Sequence, residues 1–426
     1  MRVLAIGLGG AGSRVVDQLY DHDRRSRVYC MSAVAIDIDP NSLLQLHHLP
    51  NPARVFFPRI DLSDRSHITD VIDIEEVMTR LQSMDTMEID AVLICCGLGG
   101  SVIDIAPPII AEIRKSYVEP IFALAVLPCL EEGKRVSAKA ADDLDILLEL
   151  VDAVILFDNE TWSQKIRAIA AAAENVGVMG QLRQVPSGLD PRTRYDMLNE
   201  RIARQIGLLL RAGEFNESGV EVAEVVLDAG EVLNTLKGNG FVAVGYATEQ
   251  LPTGWLNVFR RRKSLKDFIQ GSQERAARII SLAKKAVYED VSVPCDLTSA
   301  DKALVLIAGP SAELSMKGFQ TVRKWIDRSI AGLEMRSGDY PIRNTSFVGI
   351  IIVLSGLTNI PRVEEIRGIR AEYQLEREEE RLKMEEEARF HEEEDVSMVG
   401  APDEDVIPGF ASPLESEYLE EIGYMT

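Results

Sequence analysis

The sequence contains no uninterrupted run of about 18 apolar residues, which argues against a transmembrane helix. Its first residues, MRVLAIGLGG, have neither a basic start nor a cleavage region, which argues against a secretory signal peptide. The 5 cysteines are dispersed and lack the paired spacing of a disulfide framework or a zinc site. These absences predict a reduced, cytoplasmic protein with no transmembrane segment and no metal site built from its own side chains.

Basic residues are scarce: 46 Lys and Arg stand against 68 Asp and Glu, a net charge of −22. Nucleic-acid binding by bulk charge is therefore excluded. Residues Glu372–Asp395 carry 12 acids and 4 bases, and Val396–Thr426 carry 7 acids and no base, so these segments hold −15 of the net −22. They predict an exposed acidic helix followed by a disordered acidic tail. The closing SEYLEEIGYM could dock on an adaptor protein; the alternative is a tail that only solubilises.

Short apolar runs alternate with helical patterns in the first half of the chain, which predicts a doubly wound parallel sheet with helices on both faces. One long helix follows, with Leu198, Ile202, Ile206 and Leu209 on one face. The remainder predicts a smaller α/β domain. The expected organisation is a nucleotide-binding domain (1–190), a core helix (191–212), a second α/β domain (213–367), and an acidic helix and tail (368–426).

Two glycine-rich segments each lie between a predicted strand and a predicted helix. The first, GLGGAGSR (Gly7–Arg14), would let the backbone and a helix N-terminus approach phosphate. With Asp37 ending the next strand, it also fits a dinucleotide-binding oxidoreductase. The second, CGLGGSVIDIAPPIIAEI, follows the strand AVLIC. Two such loops in one sheet suit the phosphates of a single mononucleotide gripped from two sides.

The ordered set of motifs resembles the tubulin/FtsZ superfamily over residues 1–367, and most closely its archaeal CetZ group. The resemblance rests on both glycine segments and on further strings in the same order. These are EEGKR, LFDNETW, YDMLNE, VVLDAGEVLNTL, GFVAVGYA, VPCDL, ALVLIAGP, KWIDRSI, GDYPI and LSGLTNIPRV. It implies a GTPase domain, a core helix and a second domain, with GTP or GDP as ligand and Mg²⁺ accompanying GTP.

The resemblance also assigns roles to individual residues. One set would contact phosphate: Gly9, Gly10, Ala11 and Gly12, with Ser13 opening the helix, and Gly99, Gly100 and Ser101 in the second loop. Glu132 would meet the ribose. Asn159 and Asn199 would read the guanine edge, and Tyr195 would stack on the base.

Two acids in DAGE are implied to act on the neighbouring subunit's GTP. Asp228 and Glu231 fall in the predicted helix Glu221–Leu236, where their spacing would put both carboxylates on one face. In the superfamily such acids polarise the attacking water across the subunit interface.

The second loop departs from the family pattern. Val102, Ile103, Asp104 and Ile105 stand where small residues are expected. An Asp104 carboxylate ~6 Å from a phosphate charge, at an effective dielectric of ~20, would cost about 3 kcal/mol; it could instead point away or act through Mg²⁺.

The sequence thus predicts a GTP-binding cytoskeletal protein that polymerises head to tail, completes hydrolysis at the subunit interface, and serves cell shape or motility. Two alternatives remain open. One is a regulator of the same fold that binds nucleotide weakly and does not hydrolyse it. The other is the nicotinamide-dependent oxidoreductase.

Overall fold

A computed structural model describes residues 1–26, 28–57, 73–84, 88–175, 190–211, 227–238, 240–251, 265–342 and 345–399. Within these, residues Met1–Tyr373 form one compact unit, and a second unit begins at Gln374. The described part of the second unit continues the last helix as far as Val399. The predicted tail from residue 400 onward lies outside the described residues.

A single sheet of ten strands runs through the compact unit, in the order β3-β2-β1-β4-β5-β6-β7-β10-β8-β9. The strands are β1 (Val3–Leu8), β2 (Met31–Asp37), β3 (Arg54–Phe56), β4 (Ala91–Gly97), β5 (Ile121–Leu127), β6 (Ala153–Asp158), β7 (Phe241–Gln250), β8 (Lys302–Gly309), β9 (Glu334–Pro341) and β10 (Phe347–Leu357). The first six pair in parallel. β10 runs antiparallel to both β7 and β8, and β9 is parallel to β8.

Helices cover both faces of this sheet. They are α1 (Gly9–Ser26), α2 (Pro40–Leu44), α3 (Ile74–Met84), α4 (Ala106–Ser116), α5 (Lys134–Leu150), α6 (Asn159–Asn175), α7 (Pro191–Leu210), α8 (Ala229–Leu236), α9 (Leu265–Tyr288), α10 (Met316–Ser329) and α11 (Pro361–Val399). One apolar cluster joins α1, α2, α6, α7 and α8 to the sheet, and another joins α3, α4, α5, α9, α10 and the start of α11. Successive β1 residues alternate between the two clusters, as a sheet buried on both faces requires. The predicted doubly wound architecture is confirmed.

The two halves of the sheet meet at a short ladder between β6 and β7. Only Val154 and Ile155 of β6 pair with β7, whereas β7 and β10 pair along most of their lengths. The core helix α7 spans this region. It packs against α1 and α6 of the first half and against β7 and β10 of the second.

Two helix starts differ from the sequence expectation. α1 begins at Gly9 rather than near Ser13, so the glycine segment itself forms the first turn of the helix. α8 begins at Ala229: Asp228 has extended φ and ψ angles and caps the helix from outside it. Of the predicted segment Glu221–Leu236, the part before Leu227 lies outside the described residues.

Candidate functional site

The first glycine segment brings α1 against the sheet at the carboxyl end of β1. Gly9 has a φ of 68°, the left-handed conformation that glycine tolerates best. A Cβ on Gly12 would lie 2.0 Å from the carbonyl oxygen of Cys95, so only glycine allows α1 to approach β4 this closely. Ser13 is fully buried behind this contact, and no described residue hydrogen-bonds its Oγ.

α5 packs against the second glycine segment and hydrogen-bonds to it. Gly99 has a φ of 84°, and a Cβ there would lie 2.5 Å from the carbonyl oxygen of Val136. The Gly99 N–H donates to Asp143 Oδ2 over 2.7 Å, so this amide is directed at a carboxylate. A 3₁₀ turn at Val102–Ile105 then leads into α4.

Asp104 points away from the loop's cleft side. Its carboxylate accepts a hydrogen bond from Lys139 Nζ over 2.7 Å, and the same ammonium contacts Asp143 over 2.6 Å. Burial alone would lower the pKa of Lys139, but these two carboxylates outweigh it and raise that pKa. The apolar residues Val102, Ile103 and Ile105 are buried, and Val102 lies against Gly9 of the first glycine segment. Of the two expectations for Asp104, the structure shows the outward one.

Replacing Asp104 by Asn should therefore change nucleotide affinity less than about 3-fold, far below the roughly 100-fold that a carboxylate facing phosphate would cost. Lys139 keeps Asp143 as its partner in this variant, so the loop retains its anchor. Titration of unmodified and variant chains with GDP and GTP measures the effect. An affinity gain of 30-fold or more in the variant would show that Asp104 repels the phosphates.

A cleft of about 420 Å³ opens at the carboxyl ends of β1, β4, β5 and β6, where ligands bind in open parallel sheets. Its lining includes seven of the predicted site residues: Ala11, Gly99, Gly100, Glu132, Asn159, Tyr195 and Asn199. Five others lie beside the cleft without lining it: Gly9, Gly10, Gly12, Ser13 and Ser101. Asp37 is buried and also does not line it.

At one end of the cleft, Glu132 and Tyr195 are joined. Glu132 Oε1 accepts from the Tyr195 hydroxyl over 2.9 Å and from the Cys129 N–H over 2.8 Å. Burial, together with the Glu132 charge, raises the pKa of Tyr195, which keeps the phenol neutral and donating. Asn199 lies one turn further along α7, on the same side as Tyr195.

Asn159 opens α6 directly after β6 and presents an unused acceptor. Its side chain is 7% exposed, and no described residue donates a hydrogen bond to Oδ1. An orphaned buried acceptor is costly unless a ligand satisfies it. The N1–H and exocyclic amine of guanine are donors of the kind this oxygen lacks, so the residues present fit a guanine base.

Arg14 is a cleft residue that the sequence interpretation missed. It lines this cleft and an adjoining one of about 390 Å³, which also share Tyr195 and Asn199. Within the described ranges, neither an ion pair nor a hydrogen bond involves its guanidinium. The sequence pattern that could have identified Arg14 is a basic residue one turn into the helix that follows a glycine segment. Such a residue places a cation near the anionic or acceptor groups of a ligand.

Asp228 and Glu231 lie at the other edge of the sheet. They form a capping box, in which the Glu231 N–H donates to Asp228 Oδ1 over 2.7 Å and the Asp228 N–H reaches Glu231 over 3.4 Å. Glu231 is also 3.8 Å from Arg336, the third residue of β9. β9 runs in the same direction as β6, so this end is the amino edge of the strands, opposite the cleft.

Comparison with known proteins agrees with this arrangement. A family model described as "Tubulin/FtsZ family, GTPase domain" matches residues 2–167, and one described as "Tubulin-like CetZ, C-terminal domain" matches residues 190–372. Tubulin-like protein CetZ3 of Haloferax volcanii is 32% identical over 384 residues, which are 88% of this chain and 92% of that protein.

Two solved structures from the same organism superpose well. The GDP-bound monomer of CetZ1 has a TM-score of 0.69 at 29% identity, covering 88% of this chain and 100% of the other. The GTPγS-bound protofilament of CetZ2 has a TM-score of 0.71 at 26% identity, covering 89% and 100%. The sheet, its core helix and the two glycine segments thus define a protein of the tubulin/FtsZ class. More narrowly, the chain belongs to the CetZ family of tubulin-like proteins, and the resemblance found in its sequence is confirmed.

Proposed function

We propose that this chain binds GTP and GDP in the cleft and polymerises head to tail. The observation that carries the proposal is the placement of its polar groups. The predicted base and ribose contacts lie at the carboxyl ends of the strands, and Asp228 and Glu231 lie at the amino ends. Stacking one subunit on the next brings these two ends together. The related structures, a GDP-bound monomer of CetZ1 and a GTPγS-bound protofilament of CetZ2, support the same proposal.

Hydrolysis is proposed to be completed between subunits. Glu231, partly exposed and held by the capping box, would polarise a water that attacks the neighbour's γ-phosphate. Gly9, Gly10, Ala11, Gly12 and Ser13, with Gly99, Gly100 and Ser101, would form the phosphate side. Among the described residues, no cluster of three or more His, Cys, Asp or Glu could hold a metal ion by itself. Mg²⁺ would therefore be held largely by the phosphates, its common mode with nucleotides.

The wider role we propose is cytoskeletal and cytoplasmic, in cell shape or motility. We keep the division into residues 1–190, 191–212, 213–367 and 368–426, and an adaptor protein as partner of the acidic tail. No helix within the described ranges has both the length and the apolar character needed to cross a bilayer.

A regulator that does not hydrolyse GTP is the second candidate, and one observation favours it. The Gly99 amide donates to Asp143, and therefore one backbone donor of the second loop is not offered to phosphate. Comparing the affinities for GTP, GDP, ATP and NAD, with turnover measured in parallel, separates these functions and the oxidoreductase alternative.

The Asn199→Ala variant tests the base contact. Removing the amide should weaken GDP binding by about 1–3 kcal/mol, or roughly 5- to 150-fold, and leave the weaker ATP binding unchanged. Met197→Ala is the matched control, because Met197 is an exposed residue of the same helix that does not line the cleft. Equal affinity of the unmodified chain for GTP and ATP would refute the guanine assignment.

A further inference from the structure

A buried arginine joins the start of α11 to the cleft loops. Arg362 is the second residue of α11, yet its side chain is only 5% exposed. A guanidinium is always charged, so burying it is costly unless its donors are satisfied by carboxylates or carbonyls. Moving a contacted group away would leave the buried charge unpaired, so each contact restricts the position of the group that accepts it.

Of the three polar contacts that Arg362 makes with described residues, two lie on the strand ends that form the cleft. Arg362 Nη2 donates to the carbonyl oxygen of Pro128 over 2.9 Å. Nε lies 3.3 Å from Asp158 Oδ1, an ion pair without hydrogen-bond geometry. The third contact runs within α11, where Nη1 donates to Glu365 over 2.6 Å. Pro128 follows β5 and lines the cleft, and Asp158 ends β6 directly before Asn159.

Asp158 passes this constraint on to the first turn of α6. Its carboxylate is 1% exposed and accepts from the Glu160 N–H over 3.1 Å and the Thr161 N–H over 3.2 Å. These are the first two amides after Asn159, in the same helical turn that presents Asn159 Oδ1. The β5–β6 ladder ends with Leu127 paired to Asp158, and beyond it the Leu130 N–H donates to Glu160 over 2.8 Å. The guanidinium adds a further link, buried in the core, between the Pro128–Glu132 loop and the turn at Asn159.

We propose that Arg362 is a positioning residue for the base-binding end of the cleft. It acts through Pro128 and Asp158 and touches no part of the nucleotide. Together with the Leu130–Glu160 hydrogen bond, it sets the separation of the ribose-side carboxylate Glu132 from the guanine-side amide Asn159. Base preference and GDP affinity then depend on a residue of the C-terminal helix. The inference rests on the proposed binding of guanine nucleotide in this cleft.

The test compares Arg362→Gln with a control on the same helix. Arg367 also forms ion pairs, with Asp145 of α5 over 2.8 Å and with Glu364, but neither partner lines the cleft. Arg362→Gln should lower GDP affinity roughly 10-fold and reduce the ratio of GDP to ADP affinity. Arg367→Gln should leave both unchanged. Melting temperatures are measured alongside, since both variants lose ion pairs.

Arg362→Lys provides the second variant, because it keeps a charge near Asp158 and loses the planar fork that also reaches Pro128. It should fold and give a GDP:ADP ratio between those of the unmodified chain and Arg362→Gln. The inference is overturned if both Arg362 variants keep the unmodified affinity and ratio while melting earlier. If the unmodified chain itself binds neither GDP nor ADP, the proposed function fails first, and the inference fails with it.

Discussion

Glu231→Gln should lower GTP turnover by roughly 10²- to 10⁴-fold and leave the affinity of the cleft for GTP unchanged. Glu231 lies at the amino edge of the sheet, so its replacement does not alter the chain's own cleft. Glutamine preserves the capping box, because its amide oxygen still accepts from the Asp228 N–H. Loss of the carboxylate therefore removes the group that polarises water without unravelling α8. Any filaments should persist longer.

Steady-state turnover, measured across a range of protein concentrations, provides the readout. In the unmodified chain it should rise more than linearly, since each site needs a neighbour. Glu334→Gln is a suitable control: Glu334 is an exposed acid on β9 near the same edge, paired with Lys302 at 3.5 Å. Its turnover should match that of the unmodified chain.

Mixing two inactive chains sharpens the test. A Glu231→Gln chain has a sound cleft, and an Asn199→Ala chain has a sound Glu231 but, at a GTP concentration too low to fill its weakened cleft, no turnover of its own. Contacts between the two chains therefore restore complete sites. Activity should partly return in the mixture. If the two chains assemble together and stay inactive, catalysis is not shared between subunits. If the unmodified chain shows no turnover at any concentration, the non-hydrolysing regulator is the better description.

Gly12→Ala should be the most destabilising small substitution in the nucleotide-binding half. Its new Cβ would lie 2.0 Å from the carbonyl oxygen of Cys95, and both groups are backbone or backbone-attached, so α1 must move off β4. Overpacking of this kind costs on the order of 3 kcal/mol. At about 2 °C per kcal/mol for a large domain, the melting temperature should fall by roughly 6 °C.

Gly10→Ala is the matched comparison two residues earlier. There the new Cβ would meet only the ends of flexible side chains, Ser42 Oγ at 3.0 Å and Arg14 Nη1 at 3.3 Å. These can rotate aside, so the melting temperature should change by less than about 2 °C. Thermal unfolding of both variants without nucleotide measures the difference. Equal melting temperatures would show that α1 does not depend on this close approach.

The sequence predicted most of the sheet because its inner strands are continuous apolar runs. β9 is an edge strand and carries no such run, because Glu334, Arg336 and Asp339 interrupt it, so an apolar pattern does not predict it. β3, with three residues, is too short to carry a pattern. Apolar periodicity and composition predict strands that are buried on both faces of the sheet, but they do not predict strands that are half exposed.

Sequence motifs predicted the loops that form the cleft, but not the side-chain contacts that hold those loops in place. Glycine spacing located both loops, but it could not show that Gly99 is held by Asp143 or that Lys139 turns Asp104 outward. Those contacts join residues about 40 positions apart. Arg362 lies still further away, more than 200 positions from Pro128. Long-range polar contacts of single side chains leave no periodic trace in a sequence.

The short ladder between β6 and β7 is a weak joint between the two halves of the sheet. In the second half, each pair of neighbouring strands is hydrogen-bonded along seven or more residues. β6 pairs with β7 through Val154 and Ile155 alone. α7 contacts α1 and α6 on one side of this joint and β7 and β10 on the other. The two halves are therefore joined mainly by the side chains of one helix, and a cavity made in its apolar face is expected to loosen the halves from each other before it loosens either half internally.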